Sequence, residues 1–291
     1  MWHVIDHPLG AIDYEEQGEG PAVVLVPGSC STGAAWRSVV AAWSGRFRCI
    51  TTSLLGYGGT VERRRFDDCS IAHEAAVLET VIEKVAAPVH VVGHSFGGLV
   101  ALAVALRGRA ALQSLTILEA PVVEILRNRR EDHPHYVDVR RMSDRYFSDF
   151  LAGDTEAVRH MVDFYGGAGT FAAWPPRVRA YATETTPANI LDWSSAFGFP
   201  LLPEVLARME VATLVAWGSH SHPAIRQANR RLGAALPSAR CMEIGGAAHF
   251  MIVTHAPVVA DMVEMQVAEA VSPAPARSTD LRATPGRGRR Q

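Results

Sequence analysis

Four short stretches of this chain are apolar almost throughout rather than at alternate positions: residues 23–26, 89–92, 115–118 and 214–217. Strands buried on both faces read this way, whereas strands with one wet face alternate. Residues 240–244 read as a further short strand. Between and after the strands run segments with helical spacing, at residues 71–85, 99–106, 224–236 and 256–267. Strands alternating with helices predict right-handed crossovers and a doubly wound, mostly parallel sheet of the α/β class.

Residues 121–204 interrupt the alternation. Their segments 143–151 and 155–164 read as helices, and the stretch is rich in large rings, among them Tyr146, Tyr165, Phe171, Trp174, Tyr181 and Trp193. A small helical layer needs aromatic area to build a core, so a helical cap is expected here, with some rings left to line a pocket. Residues 1–120 and 205–271 then form the sheet domain. Residues 272–291 turn to Pro, Gly, Ser and Arg and are expected to be a disordered tail.

Composition narrows the function classes. The chain has 291 residues, 48% of them hydrophobic, and a net charge of −2. Setting aside the five arginines and one aspartate of 272–291 leaves about −6 on the body, which argues against nucleic-acid binding. No apolar stretch is long enough to span a membrane. Cys30, Cys49, Cys69 and Cys241 show no paired spacing, and no secretory leader precedes them. Reduced thiols in a cytoplasmic protein are therefore expected. His220-Ser221-His222 has no cysteine or carboxylate nearby, so it is expected to be an exposed loop and not a metal site. No cofactor is implied. The oligomeric state is not legible.

Gly93-His94-Ser95-Phe96-Gly97-Gly98 joins a predicted strand to a predicted helix. This is the G-x-S-x-G elbow, in which a sharp strand-to-helix turn exposes a serine hydroxyl at a helix N-terminus. The serine needs a base. His249 follows the late strand through a glycine-containing loop, Gly245-Gly246-Ala247-Ala248, and is placed to take the proton of Ser95. Most other histidines, such as His3, His7, His133 and His135, are expected on surfaces or in loops.

The acid is where the sequence departs from common usage. In most folds of this kind it follows the penultimate strand, but Ser221 stands there, and Glu243 is the only acidic residue between Val211 and Ala260. The remaining position is the end of the preceding strand, occupied by Glu119. A carboxylate there is expected to fix the tautomer of His249 and stabilise its charged form.

On these residues the chain resembles the α/β-hydrolase superfamily, and the resemblance covers most of its length. Residues 11–18 are similar to the family's second strand and turn, and residues 22–36 to its third strand and oxyanion loop. Residues 52–60, TSLLGYGGT, are similar to the D-x-x-G-x-G-x-S loop with serine and threonine at its ends. The placement of Glu119 resembles the haloalkane-dehalogenase-like branch. Those enzymes use an aspartate nucleophile, so Ser95 argues against dehalogenation and epoxide hydrolysis. The resemblance implies oxyanion donors at the backbone N–H groups of Phe96 and of Ser29, the latter in Pro27-Gly28-Ser29, where proline replaces a common histidine.

The expected function is a serine hydrolase that cleaves small or medium hydrophobic carboxylic esters through an acyl-enzyme. Thioester, lactone, amide or carbon–carbon hydrolysis would use the same groups. A non-catalytic small-ligand-binding protein of this fold is the alternative from another class, favoured by the missing acid at Ser221.

Overall fold

The computed structural model describes residues 2–8 and 10–271. The tail expected at 272–291 lies outside the described residues. Eight strands, β1 (Trp2–Ile5), β2 (Ile12–Gln17), β3 (Ala22–Val26), β4 (Arg48–Thr52), β5 (Val89–His94), β6 (Leu112–Leu118), β7 (Thr213–Gly218) and β8 (Ala239–Ile244), form one sheet. Their order is β1-β2-β4-β3-β5-β6-β7-β8. Only the β1–β2 and β2–β4 pairs are antiparallel; the other five are parallel.

The unbroken apolar runs have the predicted cause. Along β3, Val24 and Val26 join one core while Val23 and Leu25 join the other. In β6 and β7, Ile117 and Val215 face the first core, Leu118 and Leu214 the second. Each fully buried valine or leucine contributes roughly 1.5–3 kcal/mol. The first core is closed by α2 (Ile71–Val85), α3 (Phe96–Arg107) and α10 (Pro223–Ala235), the second by α1 (Arg37–Ala42), α11 (Met251–Thr254) and α12 (Ala256–Val271). Strand order reverses between β3 and β5, so the crevice beyond their carboxyl ends is the switch point where α/β sheets place ligands.

Between β6 and β7 the chain is helical, with α4 (His133–Leu151), α5 (Arg159–Gly166), α6 (Thr170–Ala173), α7 (Pro176–Glu184), α8 (Thr186–Phe197) and α9 (Pro203–Leu206). A third core of Val139, Tyr146, Met161, Val162 and Trp193 holds this layer together and includes Ala224 and Ile225 of α10. Two local expectations are corrected. The helix read at 155–164 starts only at Arg159, because the Asp154 side chain accepts the Glu156 N–H and pairs with Arg159, which favours a turn over residues 155–158. The helix read at 143–151 extends back to His133 behind Pro134 in its first turn, so His133 and His135 are helical.

The loop at 220–222 is also corrected. His220 is exposed, but Ser221 is buried and His222 half-buried. His222 stacks on Phe164 at 3.9 Å between ring centres and caps α10 by accepting the Ala224 N–H. All four cysteines are free thiols. Among the described residues no helix is long and apolar enough to cross a membrane.

Candidate active site

Ser95 sits between β5 and α3 with φ 53° and ψ −127°, a backbone that few side chains adopt and that packing must enforce. Added Cβ atoms show the enforcement. One on Gly93 would lie 2.4 Å from the Gly97 carbonyl oxygen, and one on Gly97 only 2.2 Å from that of Pro27. Strand, helix and the loop after β3 thus pass at distances that admit glycine alone. The Ser95 N–H is anchored on the Leu118 carbonyl at 2.9 Å.

Nε2 of His249 lies 3.0 Å from Oγ of Ser95, and Nδ1 lies 2.7 Å from Oε2 of Glu119. All three side chains are buried, with Glu119 fully enclosed. Glu119 is itself strained, at φ 49°. Its turn is held by its own N–H on the Ala216 carbonyl, and by Asn229, which both accepts from Ala120 N–H and donates to the Ala120 carbonyl. The other carboxylate oxygen, Oε1, accepts from the Gly218 N–H at 2.7 Å and from the Ser221 hydroxyl. Burial opposes ionisation of Glu119, but the bonds from His249, Ser221 and Gly218 outweigh it and hold the carboxyl below its ordinary range.

His94 completes the frame. Burial, reinforced by the neighbouring His249, pushes its pKa down to about 3, so its ring is neutral. Its Nε2 bonds the His249 carbonyl at 2.8 Å. Tyr165 of α5 stacks on the His249 ring at 3.9 Å, with 25° between planes. The imidazole is therefore positioned from both its backbone and its face, and can accept a proton from Ser95 while Glu119 balances the charge. Ser29 and Phe96 line the same cavity as Ser95. Gly28 packs tightly beside them, since a Cβ there would meet Ser95 Cβ at 2.8 Å.

A model of the alpha/beta hydrolase family matches residues 23–262. The chain belongs to that family. Among curated relatives, pimeloyl-(acyl-carrier protein) methyl ester esterase of Methylococcus capsulatus is 36% identical over 104 residues, 36% of this chain and 39% of that protein. The matched segments span between 39% and 46% of the lengths of three such esterases. Carboxylesterase of Bacillus subtilis superposes with a TM-score of 0.71 at 16% identity, covering 92% of each chain. The enol-lactonase of Burkholderia xenovorans LB400 gives 0.70 at 18% identity, over 91% of this chain and 100% of that one. At these identities the superpositions speak for the hydrolase fold alone.

In this family member Glu119 is enclosed in the protein, while Ser95 and His249 line a cavity of about 600 Å³. Its walls are mostly apolar, including Met161, Val162, Trp174, Val178 and Trp193. The rings of 121–204 thereby sort: Tyr165, Trp174 and Trp193 line the cavity, whereas Tyr146 and Phe171 are buried in the helical layer. No lysine or arginine lines the cavity among the described residues, and its one carboxylate, Asp192, is turned to partners within the protein.

Sequence reasoning named Ser95, His249 and Glu119, which lie within hydrogen-bonding distance in series, and Ser29 and Phe96, which line the same cavity. It missed Ser221 as a partner of Glu119, His94 as a support of His249, and Asp192. For Ser221 a signal existed: the serine occupies the turn where a carboxylate is usual, and a donor there suits a carboxylate arriving from the next strand. Glu243, the other carboxylate of this region, is engaged elsewhere, by Trp217 Nε1, Arg226 and Arg230.

Proposed function

We propose that the chain is a serine hydrolase that cleaves neutral carboxylic esters with small or medium hydrophobic groups. Ser95 attacks the carbonyl carbon as His249 Nε2 takes its proton, and Glu119 stabilises the imidazolium. The N–H groups of Ser29 and Phe96 receive the oxyanion, each such donor contributing about 3 kcal/mol to the transition state. His249 returns the proton to the leaving alcohol, and water then frees the acyl group by the same steps in reverse. All these groups belong to the chain itself.

The observation that carries this reading is the Ser95–His249–Glu119 hydrogen-bond chain, whose Ser95 and His249 line a mostly apolar cavity with no lysine or arginine among its described lining residues. An anionic acyl group would enter without a counter-charge, which favours neutral substrates. The partial likeness to methyl ester esterases supports ester cleavage. The missing acid at Ser221 was the feature favouring a binding protein, and with Glu119 on Nδ1 of His249 it no longer argues for one. The helices from α4 to α8 act as the cap.

The test is covalent labelling with a fluorophosphonate probe and mapping of the modified peptide, together with turnover of p-nitrophenyl esters of rising chain length. Label on Ser95 and ester turnover that Ser95→Ala abolishes, by on the order of 10⁶ in kcat, are expected. An unlabelled Ser95 in folded protein would refute the reading.

A further inference from the structure

The loop Pro27-Gly28-Ser29-Cys30 has no regular secondary structure, yet the proposed oxyanion donor at Ser29 works only if its N–H keeps one direction. Gly28 gives the loop freedom, and Cys30 takes a left-handed φ of 55°. Something must hold it. Ser31 bonds the Gly28 carbonyl at 2.7 Å within the loop. The external tie is Asp192 of α8, whose Oδ2 accepts from the Ser29 hydroxyl at 2.5 Å and from the Tyr57 hydroxyl at 2.6 Å.

The other oxygen of Asp192, Oδ1, is paired with Arg64 at 2.7 Å, and Arg64 also meets Glu62 at 2.7 Å and Glu74 at 3.2 Å. The side chains of Asp192 and Arg64 are essentially enclosed. A buried ionic cluster of this kind rarely stabilises more than apolar packing of the same volume, but it imposes direction. The pairing has an electrostatic consequence too. A bare carboxylate beside the oxyanion would repel it, and the ion pair with Arg64 offsets part of that charge.

We infer that Asp192 is a positioning residue for oxyanion stabilisation: through the Ser29 hydroxyl it fixes the β3 loop so that the Ser29 N–H faces the reacting carbonyl. The inference rests on the proposed role of Ser95. It makes α8 part of the catalytic frame as well as a cavity wall, because one carboxylate gathers the loop after β3, the loop after β4 and this helix.

Ser29→Ala tests it, since the substitution keeps the backbone N–H and removes only the tie. With a short p-nitrophenyl ester, kcat is expected to fall by roughly 10- to 100-fold, part of the loss seen when a whole donor is removed. KM should stay within threefold. Affinity for a trifluoromethyl ketone, which forms a tetrahedral oxyanion on serine, should fall by the same factor as kcat. Ser29→Thr, which retains the hydroxyl, should restore both. A purely structural tie would lower the melting temperature and leave kcat and ketone affinity alike untouched.

Ser29→Ala with kcat and ketone affinity within twofold of wild type would overturn the inference, as would equal losses in Ser29→Thr. Fluorophosphonate labelling of wild-type Ser95 checks the underlying mechanism separately. Normal labelling beside unchanged Ser29→Ala kinetics defeats the positioning role alone.

Discussion

Ser221, in the turn after β7, donates its hydroxyl hydrogen to Oε1 of Glu119, the first residue after β6. The two positions are the alternative strand ends from which a carboxylate can approach His249. Here one carries the carboxylate and the other a donor for it. The vacancy that made the sequence look incomplete is thus part of the Glu119 site.

Glu119→Gln should keep the shape of the site but lower kcat by roughly 10³ to 10⁴, because an amide can favour the wrong imidazole tautomer and cannot stabilise imidazolium. Adding Ser221→Asp should recover part of the loss, since it returns a carboxylate to a position beside the same histidine. Ser221→Asp alone should instead destabilise the fold by setting two buried carboxylates against each other. Steady-state kinetics and thermal melts of the three variants check this; a fully active Glu119→Gln would remove Glu119 from the mechanism.

Ser221→Ala removes one of the donors that hold the Glu119 carboxyl low. A hydrogen bond to a charged group is worth about 1.5–3 kcal/mol, and kcat is expected to drop about tenfold. Because the folded-state pKa of Glu119 is depressed, its ionisation contributes stability above its unfolded pKa, and that contribution is lost as pH falls through the folded value. Weakening the depression should move the acid-unfolding midpoint of Ser221→Ala to higher pH, as followed by circular dichroism.

Glu74 gives the opposite sign. It is fully buried beside Arg64, with Asp192 and Glu62 close by and the Leu55 N–H on its oxygens, and burial pushes its pKa up to about 8. The folded protein therefore holds a proton there that the unfolded chain releases near pH 4.5, so this group costs stability as pH rises from about 4.5 to 8. Glu74→Gln, which mimics the protonated form, should flatten that decline. Denaturant titrations at pH 5, 6, 7 and 8 would show it, and parallel slopes for the two proteins would contradict it.

Gly97→Ala should be poorly tolerated. Its Cβ would stand 2.2 Å from the Pro27 oxygen and 2.6 Å from that of Val26, and backbone cannot yield as a flexible side chain does. A loss of about 3 kcal/mol is expected, with a matching fall in melting temperature. An unchanged melt would mean that the β3 loop is freer to move than this close approach allows.

Sequence alone determined the parts of this protein that depend on local pattern. Runs such as Val23-Val24-Leu25-Val26 are apolar at both parities because each strand is covered on both faces, so the sheet was legible without its partners. Gly93 and Gly97 around Ser95 were legible for a similar reason: a close crossing of strand, helix and loop admits only hydrogen as a side chain. Glu119 could be found by exclusion, since so few carboxylates lie between Val211 and Ala260.

The rest was decided in three dimensions. The turn at residues 155–158 turned on Asp154 pairing with Arg159. Which rings line the cavity depends on how α5 and α8 dock over the sheet, which leaves Tyr165 on His249 and Tyr146 in the helical core. The bonds from Ser221 to Glu119 and from Ser29 to Asp192 span 102 and 163 positions of the chain. No periodicity encodes such pairs, because strand order and helix docking bring them together, and only the folded chain makes their chemistry meet.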